Sequence, residues 1–288
     1  MYIYLINSIA LLSLHYFFYN NKNYPSEKYI WIIVIFLLSI FIGFRYEVGG
    51  DWVIYETYFN NISNLKLENL LTSSPVFFLI NKIAYHTNTQ FIGVNFICSL
   101  IFMYSIAVFL KNSENKWLAL AISFPVIIII LGMGYTRQSL AFSFCLFLIK
   151  SLEDKSLLRS FIFIILSILS HKSALFISSF LLFLYFWYYK KYLYFTISIL
   201  IPIFFLSFFW LNYKHLIYFY IGIGQHMFSY GVLPRALLIS LVAILFIFYR
   251  ERFTNMNDYQ FFIYTSFSIL ILILLPFSFV ASTFVDRL

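Results

Sequence analysis

Of the 288 residues, 62% are hydrophobic, 23% aromatic and only 10% charged. A water-soluble domain carries about a quarter charged residues, so this composition excludes that class and points to an all-α polytopic integral membrane protein whose first partner is the lipid bilayer. The formal net charge of +8 implies no nucleic acid, because basic cytoplasmic loops facing anionic headgroups account for it.

The first apolar run, Tyr2 to Tyr19, has no basic leader and no small-residue cleavage site, and it holds Asn7 and His15. It reads as a span and not as a removable signal. Further spans are predicted near 29–44, 91–110, 117–132, 135–150, 158–170, 173–189, 193–211, 235–249 and 259–276. That makes about ten, in a single membrane domain covering 1–288. The segment from Pro75 to Tyr85 is too short to cross and contains Asn81 and Lys82, so it is read as a re-entrant or interfacial piece. With that reading, the breaks holding Lys22 and Lys28, Lys111 and Lys116, Lys150, Lys155 and Arg159, Lys190 and Lys191, and Arg250 and Arg252 share one side. The positive-inside rule makes that side cytoplasmic and puts the N-terminus outside the cytoplasmic membrane. Cys98 and Cys145 fall within apolar runs and read as packing residues. No metal-ligand spacing, Gly-rich nucleotide loop or serine-nucleophile elbow is present.

The remaining ionisable residues gather at the outer face. In "FRYEVGGDWVIYETYF" (44–59), Gly49-Gly50 supplies a turn and Asp51 a helix cap, and Trp52, Tyr55, Phe59 and Ile62 fall on one face of a short amphipathic helix. Arg45 lies across that turn from Asp51, close enough for the two to meet. "GMGYTRQSL" puts a cap at Thr136 and Arg137 in the first turn of the next span, and "GVLPRAL" does the same for Pro234 and Arg235. A cation in a first turn opposes the helix dipole, so two of them on one face predict an anion between them, while headgroup snorkelling is the plainer explanation for either alone. "LSHKSAL" sets His171 at a break between two helices, with Ser173 as the next cap. A histidine there reads either as a hydrogen-bonded structural residue or as a functional ionisable group.

Taken in order, "FRYEVGGDWVIYETYF", "YTRQSLAFSF", "LSHKSALF" and "STFVDRL" resemble the EpsG-type family of bacterial polysaccharide polymerases, related in role to Wzy O-antigen polymerases. The resemblance runs along almost the whole chain. It departs at Ser73-Ser74-Pro75-Val76, where the family often carries an acid. It also departs at Leu288, beyond which relatives continue into further helices, so a C-terminal truncation is expected.

The resemblance implies joining of oligosaccharide repeat units carried on undecaprenyl diphosphate at the outer face, with a flippase and a chain-length regulator as possible partners and no cofactor or metal. Arg137 and Arg235, supported by Arg45, Arg287 and Gln138, would bind the leaving diphosphate through the planar guanidinium fork. His171 or Asp51 would take the acceptor proton. His171 is favoured, because an Asp51 caged by arginines would be the weaker base. Alternatives are an O-antigen ligase, an acyltransferase, or a transporter or flippase for lipid-linked glycans. The transporter reading expects charges near the midplane, and here they cluster at one face.

Overall fold

The computed structural model describes residues 2–21, 24–64, 74–113, 115–196, 198–200, 232–252 and 256–279. The described residues are helical with no strand, as a chain without water to satisfy its backbone requires. They form two compact units, one of residues 1–151 with 157–172 and the other of residues 152–156 with 173–288.

The first unit contains α1 (Tyr2–Asn20), α2 (Glu27–Gly43), α3 (Trp52–Asn60), α4 (Pro75–His86), α5 (Gln90–Leu110), α6 (Lys116–Ser123), most of α7 (Thr136–Glu153) and α8 (Leu157–Ser170). Between α6 and α7, Phe124–Met133 continues as a ten-residue π-helix, opened by Pro125, which cannot donate into an α ladder. Helix α2 buries Trp31, Ile35, Leu38 and Ile42, a stripe at helical spacing, while Ile32, Ile33, Phe36 and Leu37 face outward. That apolar outer face suits lipid. The buried stripe packs against Phe102, Met103 and Ile106 of α5.

The closest approach of α2 and α5 uses small residues. Ser99 Oγ donates to the Ser39 carbonyl at 2.8 Å, and a Cβ on Gly43 would stand 2.7 Å from the Phe96 Cα. Ser39 and Gly43, four apart, thus form the small-residue seam that lets membrane helices touch backbone to backbone. At the other end of α2, Glu27 pairs with Lys116 at 3.0 Å and accepts from Trp117 Nε1 at 3.0 Å, fastening α2 to α6.

A second core joins α3, α4, α5 and α7 through Trp52, Tyr55, Phe59, Phe77, Ile80, Phe91, Val94, Cys98, Leu140 and Phe144. All four residues predicted to share one face, Trp52, Tyr55 and Phe59 of α3 and Ile62 just beyond it, are buried. Helix α4 has 12 residues, about 18 Å at 1.5 Å per residue, too short for a hydrocarbon core of about 30 Å. Its Lys82 donates to the Ile62 carbonyl at 2.8 Å, which ties α4 to the end of α3. Cys98 and Cys145 are buried free thiols.

In the second unit, α9 (Ala174–Tyr188), α10 (Val232–Tyr249) and α11 (Asp258–Leu274) are the main helices. Helix α11 opens with a reciprocal capping box between Asn257 and Gln260. Tyr259 packs its ring on Tyr185 and Tyr188, with centroids at 5.9 and 5.3 Å.

Among the described residues, four helical stretches are long and apolar enough to cross a membrane: Tyr2–Asn20, Gln90–Leu110, Lys116–Met133 and Leu233–Arg252. Shorter apolar helices cover Leu157–Ser170, Ala174–Tyr188 and Asp258–Leu274. The protein is therefore an all-helical membrane protein. Other expected spans among the described residues form shorter helices, of 17 residues at Glu27–Gly43, 14 at Leu157–Ser170, 15 at Ala174–Tyr188 and 17 at Asp258–Leu274. Most of the stretch expected at 193–211 lies outside the described residues.

Candidate active site

Arg45 leaves the last turn of α2 and is 6% exposed. Its Nη1 donates to the Ile42 carbonyl at 3.0 Å, and its Nη2 donates to Asn95 Oδ1 on α5 at 3.0 Å and to Thr136 Oγ1 on α7 at 2.7 Å. Its guanidinium lies 5.8 Å over the Trp52 ring. One side chain thereby joins α2, α3, α5 and the first turn of α7. None of these partners is a carboxylate, and burial pulls the Arg45 pKa down to about 10, which still leaves it cationic at neutral pH. The expected meeting of Arg45 with Asp51 does not occur, because Asn95 and Thr136 draw the guanidinium inward.

Asp51 occupies the N-cap position of α3 but makes no side-chain cap bond. Its Oδ2 accepts instead from the Tyr55 hydroxyl at 2.9 Å. Tyr55 is buried, and burial pushes its phenol up to about 12, with the nearby positive charge of Arg137 pulling the other way. The Arg137 guanidinium, in the first turn of α7 as predicted, lies 5.0 Å over the Tyr55 ring and 5.9 Å over Phe77. It is held by two aromatic faces, and its buried Nε has no hydrogen-bond partner.

The same holds for three neighbours. Arg45 Nε, Trp52 Nε1 and Asn95 Nδ2 are buried and without an acceptor. Around Arg45 and Arg137 the protein therefore holds buried N–H donors without an acceptor, two of them on cations. Such an arrangement favours an oxyanion, since an unmet buried donor costs about 1–3 kcal/mol and a charged one more.

His171 follows the end of α8, half-buried, with its backbone N–H on the Ser167 carbonyl at 3.1 Å. Helices α7 and α8 run antiparallel: Ser151 and Ser160 share a 2.8 Å hydrogen bond, and the Phe147 and Phe163 rings stack at 5.2 Å. Carried along the pair, that register brings His171 level with the turn of α7 at Leu140, one turn below Arg137. Gln138 is half-buried beside Arg137. Ser173 holds the N-cap position of α9 without a side-chain cap bond. Arg235, half-buried, follows Pro234 in the first turn of α10, in the second unit. Arg287 lies outside the described residues.

Two contributors were not predicted. Tyr55 was expected only as part of an apolar face, yet its hydroxyl links Asp51 to the neighbourhood of Arg137. Asn95 lies inside a predicted span, and a fully buried asparagine in a membrane helix is itself a signal. Next to the cluster, Val48, Gly49 and Gly50 face Ile129, Ile130 and Met133 of the π-helix, with Gly134 and Tyr135, across a groove of about 220 Å³. Among the described residues, no group of three His, Cys, Asp or Glu stands ready to hold a metal ion.

The arginine, aspartate and tyrosine cluster and the break at His171 all fall within residues 28–288, the stretch matched by the model of the EpsG family. The chain belongs to the EpsG family. As an EpsG-family protein it is a membrane protein related to polysaccharide biosynthesis. No curated protein and no solved structure matches the chain.

Proposed function

We propose that this EpsG-family protein is a polysaccharide polymerase with one polytopic domain in the bacterial cytoplasmic membrane, N-terminus outside, in which the shorter apolar helices also cross to give about ten spans. It joins oligosaccharide repeat units carried on undecaprenyl diphosphate. The observation that carries this reading is Arg137, a cation at a helix start, packed on the faces of Tyr55 and Phe77 with a buried unpartnered Nε. A guanidinium so held keeps hydrogen-bonding capacity for a bidentate oxyanion, and the diphosphate of a lipid-linked glycan is such a group.

The reaction breaks the bond between the anomeric carbon of the growing glycan and its diphosphate oxygen. It forms a bond from that carbon to a sugar hydroxyl of a second lipid-linked unit. Negative charge builds on the departing undecaprenyl diphosphate, where Arg137 stabilises it with Gln138 in support; from the sequence alone, Arg235 and Arg287 are further candidates for that role. Arg45, enclosed by neutral acceptors, positions the first turn of α7 through Thr136. The acceptor proton passes to a carboxylate or imidazole. Asp51 gains weight over His171 because its carboxylate meets Tyr55, not an arginine fork, and stands in the same cluster as Arg137. A flippase supplying the substrate and a chain-length regulator are the partners this chemistry calls for.

The test is reconstitution of the purified protein in proteoliposomes with an undecaprenyl-diphosphate-linked repeat unit. Polymer should lengthen with stoichiometric release of undecaprenyl diphosphate. Release without polymer, or transfer of the glycan to a different acceptor, would replace the polymerase reading with hydrolysis or ligation.

A further inference from the structure

The groove beside Arg137 is apolar in a place where topology alone would not require a concavity. One wall is the end of the π-helix, Ile129, Ile130 and Met133, and the other is the turn Val48-Gly49-Gly50. Both walls adjoin the cluster along the chain. Tyr135 stands two residues before Arg137, and Gly50 immediately precedes Asp51. The turn is fitted closely to the π-helix: Gly49 has φ +115, and a Cβ there would collide with the Met133 carbonyl. Only glycine lets the chain pass so near. A π-helix of ten residues is an uncommon, costly conformation that concentrates at functional sites.

We infer that this groove seats the first prenyl units of the lipid carrier whose diphosphate lies at Arg137. The inference rests on the proposed lipid-diphosphate substrate. An amphipathic ligand of that class needs an anion site at the membrane surface and an apolar path leading from it toward the hydrocarbon. Arg137 sits at the head of α7, and the groove descends from it along Tyr135, Met133, Ile130 and Ile129, back into an apolar helical segment. A volume of about 220 Å³ is below the roughly 300–1,000 Å³ of sites that enclose a whole small molecule. It fits the start of a long chain whose remainder stays in the bilayer.

Binding of inorganic pyrophosphate and of farnesyl diphosphate to the full-length protein in nanodiscs decides the matter. In the unaltered protein, farnesyl diphosphate should bind at least about tenfold more tightly than pyrophosphate, since each buried methylene contributes about 0.8 kcal/mol. Ile130→Trp, which fills the groove, should bring that ratio close to one and leave pyrophosphate binding as it was. Gly134→Leu should do the same, because nothing lies within 4 Å of a Cβ at that position, and it covers the case in which the tryptophan variant does not insert. Ile122→Trp, at a position 63% exposed on the same helical segment, should alter neither ligand and so controls for partition into the bilayer. A chain-dependent ratio that survives both groove-filling variants overturns the groove assignment. Absence of pyrophosphate binding in the unaltered protein instead removes the anion site itself, and with it the reading on which the groove depends.

Discussion

The Tyr55 hydroxyl donates a 2.9 Å hydrogen bond to Oδ2 of Asp51, one turn back on α3, while the ring of the same tyrosine lies against the Arg137 guanidinium. One side chain thus fixes a carboxylate and a cation in a common frame. Tyr55→Phe keeps the ring contacts and deletes the bond, which should cost about 0.5–1.5 kcal/mol of stability and leave insertion intact. If the bond orients Asp51 for proton transfer, polymer per unit of inserted protein should fall by about tenfold, the equivalent of about 1.4 kcal/mol in barrier. Unchanged specific activity would reduce the bond to a local packing detail.

Asp51 and His171 are the two candidates for the proposed base. Asp51→Asn should remove nearly all polymer from a normally expressed protein, and His171→Ala should leave a measurable fraction. The pH profile tests His171 independently, since a histidine base gives a limb near neutral pH. A neutral limb that disappears in His171→Ala would transfer the role to His171.

For the arginines at helix starts, substitution by lysine is the informative change. Arg137→Lys keeps charge but loses the planar fork and its fit between Tyr55 and Phe77, so partial activity is expected, with alanine removing nearly all of it. Arg235→Lys and Arg235→Ala should follow the same order. A headgroup anchor behaves otherwise, because lysine snorkels as well as arginine and only abundance would respond. Polymer per inserted protein in all four variants distinguishes the two.

Arg45 should respond differently from Arg137. Arg45→Ala strands Asn95 Oδ1 and Thr136 Oγ1 in a buried setting, at about 1–3 kcal/mol for each group left unpaired. The expected result is a lower thermal midpoint in detergent and reduced abundance. A stable, abundant Arg45→Ala protein with no activity would mean that Arg45 touches substrate directly.

The two glycines of the turn make a matched pair. Gly49→Ala forces a Cβ into the Met133 carbonyl at a φ that side chains rarely adopt, so it should destabilise by more than about 1 kcal/mol. Gly50→Ala meets nothing within 4 Å and should be silent in the same melting experiment. Equal effects would break the close fit inferred between the turn and the π-helix.

Helix periodicity carried much of this structure into the sequence. The face of α3 with Trp52, Tyr55 and Phe59, the start of α7 beside Arg137, and the shortness of α4 could all be read from spacing, because burial on one side leaves a 3.6-residue imprint. What could not be read were the partners of polar groups. Arg45 was expected near Asp51 across six residues of chain, and it turned to Asn95 and Thr136, 50 and 91 residues away. Sequence proximity says nothing of which distant acceptor a fold will bring closer. The π-helix was equally hidden, since "FPVIIIILGM" has the composition of any apolar span, and its wider winding follows from the packing around it.

Helix α3 turns Trp52, Tyr55 and Phe59 inward and leaves Val53 and Ile54, 71% and 60% exposed, on its outer side. The wall that holds Asp51 is therefore only one helix thick, with Tyr55 against Arg137 on one surface and an oily surface on the other. Whatever medium touches Val53 and Ile54 sets the tilt and depth of that wall, so the spacing between Asp51 and Arg137 becomes sensitive to the surrounding amphiphile. Turnover measured in micelles and in bilayers of different thickness would then differ through geometry at α3, before any difference in how the substrate is delivered.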